Sequence, residues 1–274
     1  MHFLPAAIAF VAALGLAPLL IARLTGAALV APNYRGLSLP VPLGLVIVPA
    51  GLVALVPVTL LARLADSDIY PDNFGLVMVL VPGIALLGLV DDVLSGASRG
   101  WRGHGAALVS GDLSTGALKA IGTLALALLV ASGLPGSEGE FLLAAGVIVL
   151  ATNVFNLLDL RPGRAVKSFV LLGIGLTAST ALTEPIATVG IFAAPVLVAG
   201  FFDLREKAML GDTGSNVIGA LAGLWLVLTL DTDGQVIALV VLLVINVIGE
   251  FTSISAFIEK VPGLRHLDSL GRPS

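Results

Sequence analysis

The chain has 274 residues, 57% hydrophobic and 12% charged, with a formal net charge of −4. Soluble domains carry about 25% charged residues, so an ordinary soluble fold is excluded, and a mean hydropathy of +1.07 points to helices that cross a lipid bilayer. There is no cysteine, which excludes disulfides, thiolate nucleophiles and zinc–thiolate sites.

The first apolar run covers roughly residues 3–23. A cleaved signal peptide carries its positive charge before the apolar run. Here no Lys or Arg precedes Arg23, so the run reads as a retained first span. Further spans are expected at roughly 43–62, 74–91, 116–133, 140–157, 168–183, 186–202, 215–230 and 236–256. Pro42, Pro135 and Pro185 fall at the breaks. The expected fold is all-α: a polytopic membrane helix bundle of about nine transmembrane helices. The loops leave too few residues for a separate soluble domain, so residues 1–274 read as one integral membrane domain.

With alternate loops on alternate sides, one side receives Arg23, Arg35, Arg99, Arg102, Lys119, Arg161, Arg164, Lys167, Arg205, Lys207, Lys260, Arg265 and Arg272, and the other only Arg63. The positive-inside rule makes the first side cytoplasmic. The N-terminus is then outside and the C-terminus cytoplasmic, in a multi-pass protein of the cytoplasmic membrane. Dropping or adding one internal span would scramble this split.

Three acidic motifs interrupt the apolar chain: Leu89-Val90-Asp91-Asp92, the run NVFNLLDLRPGRAVK from Asn153 to Lys167, and LGDTGSN from Leu210 to Asn216. Carboxylates beside spanning helices are costly and mark pathways or reaction sites. The topology places all three on the cytoplasmic face. Successive helical residues point about 100° apart, so one of Asp91 and Asp92 can meet a metal while the other meets a Lys. A negative charge at a helix C-terminus opposes the helix dipole, which makes the pair a poor cap for its own helix. Asn153 and Asn156 stand at i and i+3, able to hold a ligand or a neighbouring helix. Asp159 follows. Arg161, Arg164 and Lys167 then offer phosphate ligands, topology signals or contacts to anionic headgroups. In LGDTGSN, Gly211 and Gly214 allow tight turns, and Thr213 or Ser215 is suited to cap the next helix, whose N-terminus is an anion site. Asp212 beside it is a candidate metal ligand. Asn246 and Glu250 share a face of the last span. His104, in SRGWRGHGA, reads as a solvated loop histidine, and three scattered histidines make no zinc motif.

In order along the chain, these motifs resemble those of the polyprenyl-phosphate N-acetylhexosamine-1-phosphate transferases. That membrane family includes phospho-MurNAc-pentapeptide translocase and the GlcNAc-1-phosphate transferases. GLVDD (88–92) is similar to the family's aspartate pair, and Lys119 to its lysine at the start of the next span. NVFNLLD (153–159) is similar to its Asn-x-x-Asn-x-x-Asp run, and EKAMLGDTGSN (206–216) to its Gly-Asp-Thr-Gly-Ser segment, the most specific match. NYRGLSLPVP (33–42) loosely resembles the first cytoplasmic loop. The resemblance implies transfer of a sugar-1-phosphate from a UDP-sugar to a polyprenyl-phosphate carrier, releasing UMP, in cell-envelope glycan biosynthesis. It implies Mg²⁺ (or Mn²⁺) on Asp212 and Asp92, and a catalytic set of Asp91, Asp92 and Asp159. Asp91 would orient or deprotonate the lipid phosphate. It implies substrate contacts from Lys119, Asn153, Asn156, Arg161, Arg164, Lys167, Gly211, Thr213, Gly214, Ser215 and His266. The implied partners are the lipid carrier, the UDP-sugar and membrane lipid, without nucleic acid. Glycine-spaced faces such as Gly219 and Gly223 favour close helix packing and allow a homodimer.

Three departures stand out. The family's second loop carries a further acid where this chain has Pro162. Its histidine cluster is reduced to Arg265-His266-Leu267-Asp268. The chain also ends one span short. Two other readings therefore stand beside the enzyme: a non-enzymatic relative that binds a lipid carrier or partner, and a transporter. Against transport, the acids cluster on one face instead of at the midplane, and no inverted repeat is visible.

Overall fold

A computed structural model describes residues 1–94 and 114–273; Arg99, Arg102 and His104 lie outside the described residues. Among the described residues, nine helices of 17 to 23 residues follow one another. They are α1 (Leu4–Gly26), α2 (Ile47–Leu64), α3 (Phe74–Leu94), α4 (Thr115–Ala131), α5 (Glu138–Leu158), α6 (Arg164–Thr180), α7 (Glu184–Leu204), α8 (Gly211–Thr229) and α9 (Thr232–Phe251). Two short helices, α10 (Ile254–Lys260) and α11 (Pro262–Ser269), close the chain. Six segments are long and apolar enough to cross a membrane: α1, Leu43–Leu64, α3, α5, α7 and α9. The molecule is thus a nearly all-helical, multi-pass membrane protein.

Among the described residues the helices are joined by one hairpin of β1 (Val30–Pro32) and β2 (Ser38–Pro40), antiparallel with Ala31 opposite Leu39. Its turn is local chemistry: Asn33 Oδ1 accepts the N–H groups of Arg35 and Leu37, both at 2.9 Å.

Caps set the other boundaries. Ser137 and Glu140 form a capping box at the start of α5. Asp231 caps α9 through the Gly234 N–H at 2.9 Å, so that helix begins one turn before the expected residue 236. It ends at Phe251, because Ser253 turns to cap α10 through the Ala256 N–H.

Helix α8 is the axis. It is buried along nearly its whole length, from Thr213 to Thr229, with α3, α5, α6 and α7 packed around it. Small residues permit this. A Cβ on Gly219 would lie 2.5 Å from Thr152 Cα, and one on Gly223 2.7 Å from Ile148 Cα. The glycine face noted in the sequence is thus used inside the chain, against α5. Helix α9 is the opposite case. It rests on α5, and Leu242 is its one buried residue among those described.

Successive helices alternate in direction, and side-chain contacts identify the two ends. At one end His2 meets Glu184 at 3.0 Å, Thr188 donates to the Asp72 carbonyl, and Thr232 donates to Glu140. At the other gather the hairpin, the C-termini of α3, α5 and α7, the N-termini of α4, α6 and α8, and the tail. All three acidic motifs lie at this second end.

Candidate active site

Glycines bring three backbones together at that end. A Cβ on Gly44 would lie 2.2 Å from Gly214 N, and one on Gly88 2.6 Å from Asp212 O. The segment after the hairpin is also bonded to the approach to α8. Leu43 N–H donates to Met209 O at 2.8 Å, Gly44 N–H to Leu210 O at 2.9 Å, and Met209 N–H to Pro40 O at 2.9 Å. Gly211 turns the chain into α8 with φ +71°, where a Cβ would strike Pro42 and the Asp92 carboxylate.

The first turn of α8 has free N–H groups, and its own N-cap position is Leu210, which has no side-chain acceptor. Asp92 supplies the acceptor from another helix. Its Oδ1 accepts Asp212 N–H at 2.8 Å, while Oδ2 accepts Thr213 N–H at 2.8 Å and the Thr213 hydroxyl at 2.6 Å. A carboxylate that would be unfavourable at the end of α3 becomes favourable at the start of α8. Gly211, Asp212, Thr213, Gly214 and Ser215 therefore form the first helical turn, one turn before the residue 215 boundary read from hydropathy. Neither Thr213 nor Ser215 is the cap.

Asp91 and Asp212 converge on one cation. Lys119 Nζ, at the start of α4, donates to Asp91 Oδ2 at 2.8 Å and to Asp212 Oδ2. Asn156 Oδ1 accepts the Ser215 hydroxyl at 3.1 Å, tying the second motif to the third. Asn153 does not join them. Its amide donates to Asn246 of α9, an exposed interhelical pair. Three residues along a helix turn the face by about 60°, enough to send the two amides to different neighbours. Asn216, one turn beyond Asp212, is buried, and its Nδ2 has no partner among the described residues.

Asp159 sits just past α5, as its C-cap residue. Burial, and after it the charges of Asp203, Asp212 and Asp92, push its carboxyl well above the usual carboxylate range. Asp203, at the end of α7, is a residue the sequence reading missed. It is 3% exposed, and its Oδ2 accepts Gly163 N–H at 2.6 Å. The signal was present: an acid in the apolar run FFDL obeys the same rule that singled out Asp91.

The basic residues of the second motif go to the tail. Arg161 donates to Glu259 at 3.0 Å and stacks on the Tyr34 ring at 4.3 Å. Arg164 holds Asp268 with two bonds, of 2.7 and 3.0 Å, and donates to Ser255 at 3.0 Å. Arg272 grips the same carboxylate at 2.7 and 3.1 Å. Lys167 donates to the carbonyls of Leu267, Asp268 and Leu270, the open end of α11. Burial alone would raise the Asp268 carboxyl, but the hydrogen bonds from Arg164 and Arg272 outweigh it and hold it at about 2. His266 is exposed on α11, and no contact among the described residues joins it to the carboxylates. The hairpin tip is fixed by Glu206, which accepts Asn33 Nδ2 at 3.1 Å and the Tyr34 hydroxyl at 3.3 Å.

The Asp91–Asp212 pair suits a hard divalent cation. Mg²⁺ binds through one or two carboxylates plus substrate phosphates instead of a full protein cage. Two carboxylates that share one ammonium are close enough to share such an ion. Asp92 differs, since both of its oxygens already accept N–H or O–H donors. Among the described residues no cluster of three or more His, Asp or Glu forms a closed cage. A cavity of about 280 Å³, lined in part by Asn73, Ser137, Glu140 and Gln235, lies at the opposite end. No protein-family model matches the chain, and no curated protein matches it either.

Proposed function

We propose that the protein transfers a sugar-1-phosphate from a UDP-sugar to a polyprenyl-phosphate carrier, releasing UMP, at the cytoplasmic face of the cytoplasmic membrane. The observation that carries this reading is the meeting of Asp91 and Asp212 on Lys119, with Asp92 on the same helix start. These residues are 28, 93 and 120 positions apart in sequence. One unit of nine crossings, with the N-terminus outside, would put this cluster beside a lipid phosphate in the inner leaflet.

In this reading Asp212 and Asp91 hold the cation, and Mg²⁺ or Mn²⁺ supplies charge neutralisation for the diphosphate. Asp91 also orients the lipid phosphate. Asp92 fixes the first turn of α8 so that Asp212 is presented, a more indirect part than direct ligation. Lys119 keeps the two carboxylates together and offers its ammonium to phosphate. Asn156, Ser215 and Asp159 line the nucleotide side. Phosphoryl transfer needs little more than such positioning and charge stabilisation.

The test is UMP release from a panel of UDP-sugars with undecaprenyl phosphate and Mg²⁺. Asp212→Asn and chelation of the metal should each abolish release, and Asp66→Asn, at the far end, should leave it unchanged. Release that survives Asp212→Asn refutes the metal assignment. A second reading, a carrier-binding relative without turnover, is favoured by one observation: Arg161, Arg164 and Lys167 are all engaged by the tail. Absence of release with every sugar would select it.

A further inference from the structure

One peptide group at the site is gripped from both sides. The bond between Pro162 and Gly163 contributes one carbonyl and one N–H. Arg272 Nε, near the end of the chain, donates to the Pro162 carbonyl at 2.8 Å. Asp203 Oδ2, from the end of α7, accepts the Gly163 N–H at 2.6 Å. A carboxylate and a guanidinium from distant elements are thus linked through a single peptide. Both bonds are charge-assisted, the stronger class of hydrogen bond. Both side chains are largely withdrawn from solvent, Asp203 at 3% exposed and the Arg272 side chain at 10%. Gly163 is at φ +72°, and a Cβ there would lie 2.5 Å from Leu204 Cδ1, so the turn is also held sterically by the residue after Asp203.

This peptide lies three to four residues after Asp159 and directly before Arg164. Its orientation therefore sets where the second motif hands over to α6. Asp203 also faces the backbone N–H of Leu210, at the entry to the Asp212 turn. One buried carboxylate thus accepts the Gly163 N–H of the second motif and is favoured by the Leu210 N–H of the third.

We propose that Asp203 and Arg272 are positioning residues. They clamp the Pro162–Gly163 peptide and so fix Asp159 relative to Asp212. The catalytic part of this role rests on the transferase reading above. The clamp also gives a physical account of Pro162 at a position where the resemblance leads one to expect an acid. The turn is held by acids from elsewhere, Asp203 on its N–H and Asp268 on Arg164 and Arg272, while Pro162 needs only its carbonyl.

Two independent readouts test the proposal on the full-length protein in detergent. The first is hydrogen exchange. In Arg272→Gln, amides in 160–166 should exchange at least about tenfold faster, because a local opening loses its restraint, while α8 is unchanged. Arg272→Lys, which keeps a charged donor, should restore most of the protection. The second is turnover. Arg272→Gln should lower kcat by about ten- to a hundredfold, with a smaller change in the KM for the lipid carrier. Asp203→Ala should match Arg272→Gln in both readouts, and the double variant should be no worse than either. Unchanged exchange in 160–166 overturns the clamp. Faster exchange with unchanged kcat, or additive losses in the double variant, overturns the positioning role. Failure of the wild-type protein to use any UDP-sugar overturns the transferase reading, and exchange at Gly163 then decides the clamp alone.

Discussion

Replacing Gly88 by Ala tests the packing at the centre of the site. The added Cβ would lie 2.6 Å from Asp212 O and Thr213 Cα, and 2.7 Å from Thr213 N. Carbon atoms rest at about 3.5–4.0 Å, so α3 must move away from α8 by roughly 1 Å. Asp92 moves with it. Its three bonds to the first turn, at 2.6 to 2.8 Å, then stretch to about 3.6 Å or more, beyond a working hydrogen bond. Overpacking costs about 1–3 kcal/mol, and each hydrogen bond to a charged group contributes about 1.5–3 kcal/mol. Partial readjustment spares some of these, so the expected destabilisation is about 3–5 kcal/mol. The assay is thermal unfolding of purified Gly88→Ala, Asp92→Asn and the double variant. If the alanine acts by pulling Asp92 off the helix, the two effects are not additive and the coupling exceeds about 0.5 kcal/mol. An alanine variant that unfolds at the wild-type temperature, or a strictly additive double variant, refutes the reasoning.

The tail should come off at acid pH. The Asp268 carboxyl is lowered from 3.8 to about 2 in the folded protein. Its stabilisation is therefore complete above about 3.8 and is lost as the pH falls toward 2. It amounts to roughly 2 kcal/mol. Protease cleavage within 253–273 should rise between about pH 4 and pH 2, and Asp268→Asn should be cleaved at pH 7 as the wild type is at low pH; a pH-independent rate for both refutes this. Asn246→Leu removes the amide partner of Asn153 and bonds to two backbone carbonyls. Interhelical polar contacts in membranes average about 0.6 kcal/mol, so unfolding should shift only slightly and UMP release should stay at the wild-type rate. Loss of release would mean that Asn153 belongs to the reaction site after all.

Sequence reasoning reached the positions of the helices because a lipid-facing segment must be apolar throughout. It reached Asp91, Asp92 and Asp212 because a carboxylate at such a place needs a reason. It did not reach the partners. Nothing local to LVDD shows that Asp92 caps a helix beginning 120 residues later. The folded chain shows it, in the close contacts of Gly44, Gly88 and Gly214 and in the backbone bonds from Leu43 and Gly44 to the approach of α8. The tail was harder still. Arg164 and Lys167 read as phosphate or headgroup ligands, and nothing local to them or to Asp268 shows that α11 packs on the start of α6. Polar residues satisfied by distant polar residues leave no periodic trace.

The helices that matter most to the site are the shorter or less apolar ones, for a physical reason. The helices that fall short of the requirement for crossing a membrane are α4, α6 and α8, and these carry Lys119, Arg164 and Asp212 on their first turns. A helix facing lipid is constrained by hydrocarbon along its whole length. Helix α8 faces protein instead, buried from Thr213 to Thr229. It can therefore begin with Gly-Asp-Thr-Gly-Ser-Asn and substitute close packing for apolar bulk, as Gly219 and Gly223 do against α5. Helix α9 shows the converse. It is among the apolar helices, yet only 6% of its most apolar window is buried, since its apolar side chains face outward. Apolarity alone does not separate the two cases, since α7 is as apolar in kind and yet has 67% of its most apolar window buried. The segment most central to the bundle is free to carry polar chemistry because other helices, and not lipid, surround it.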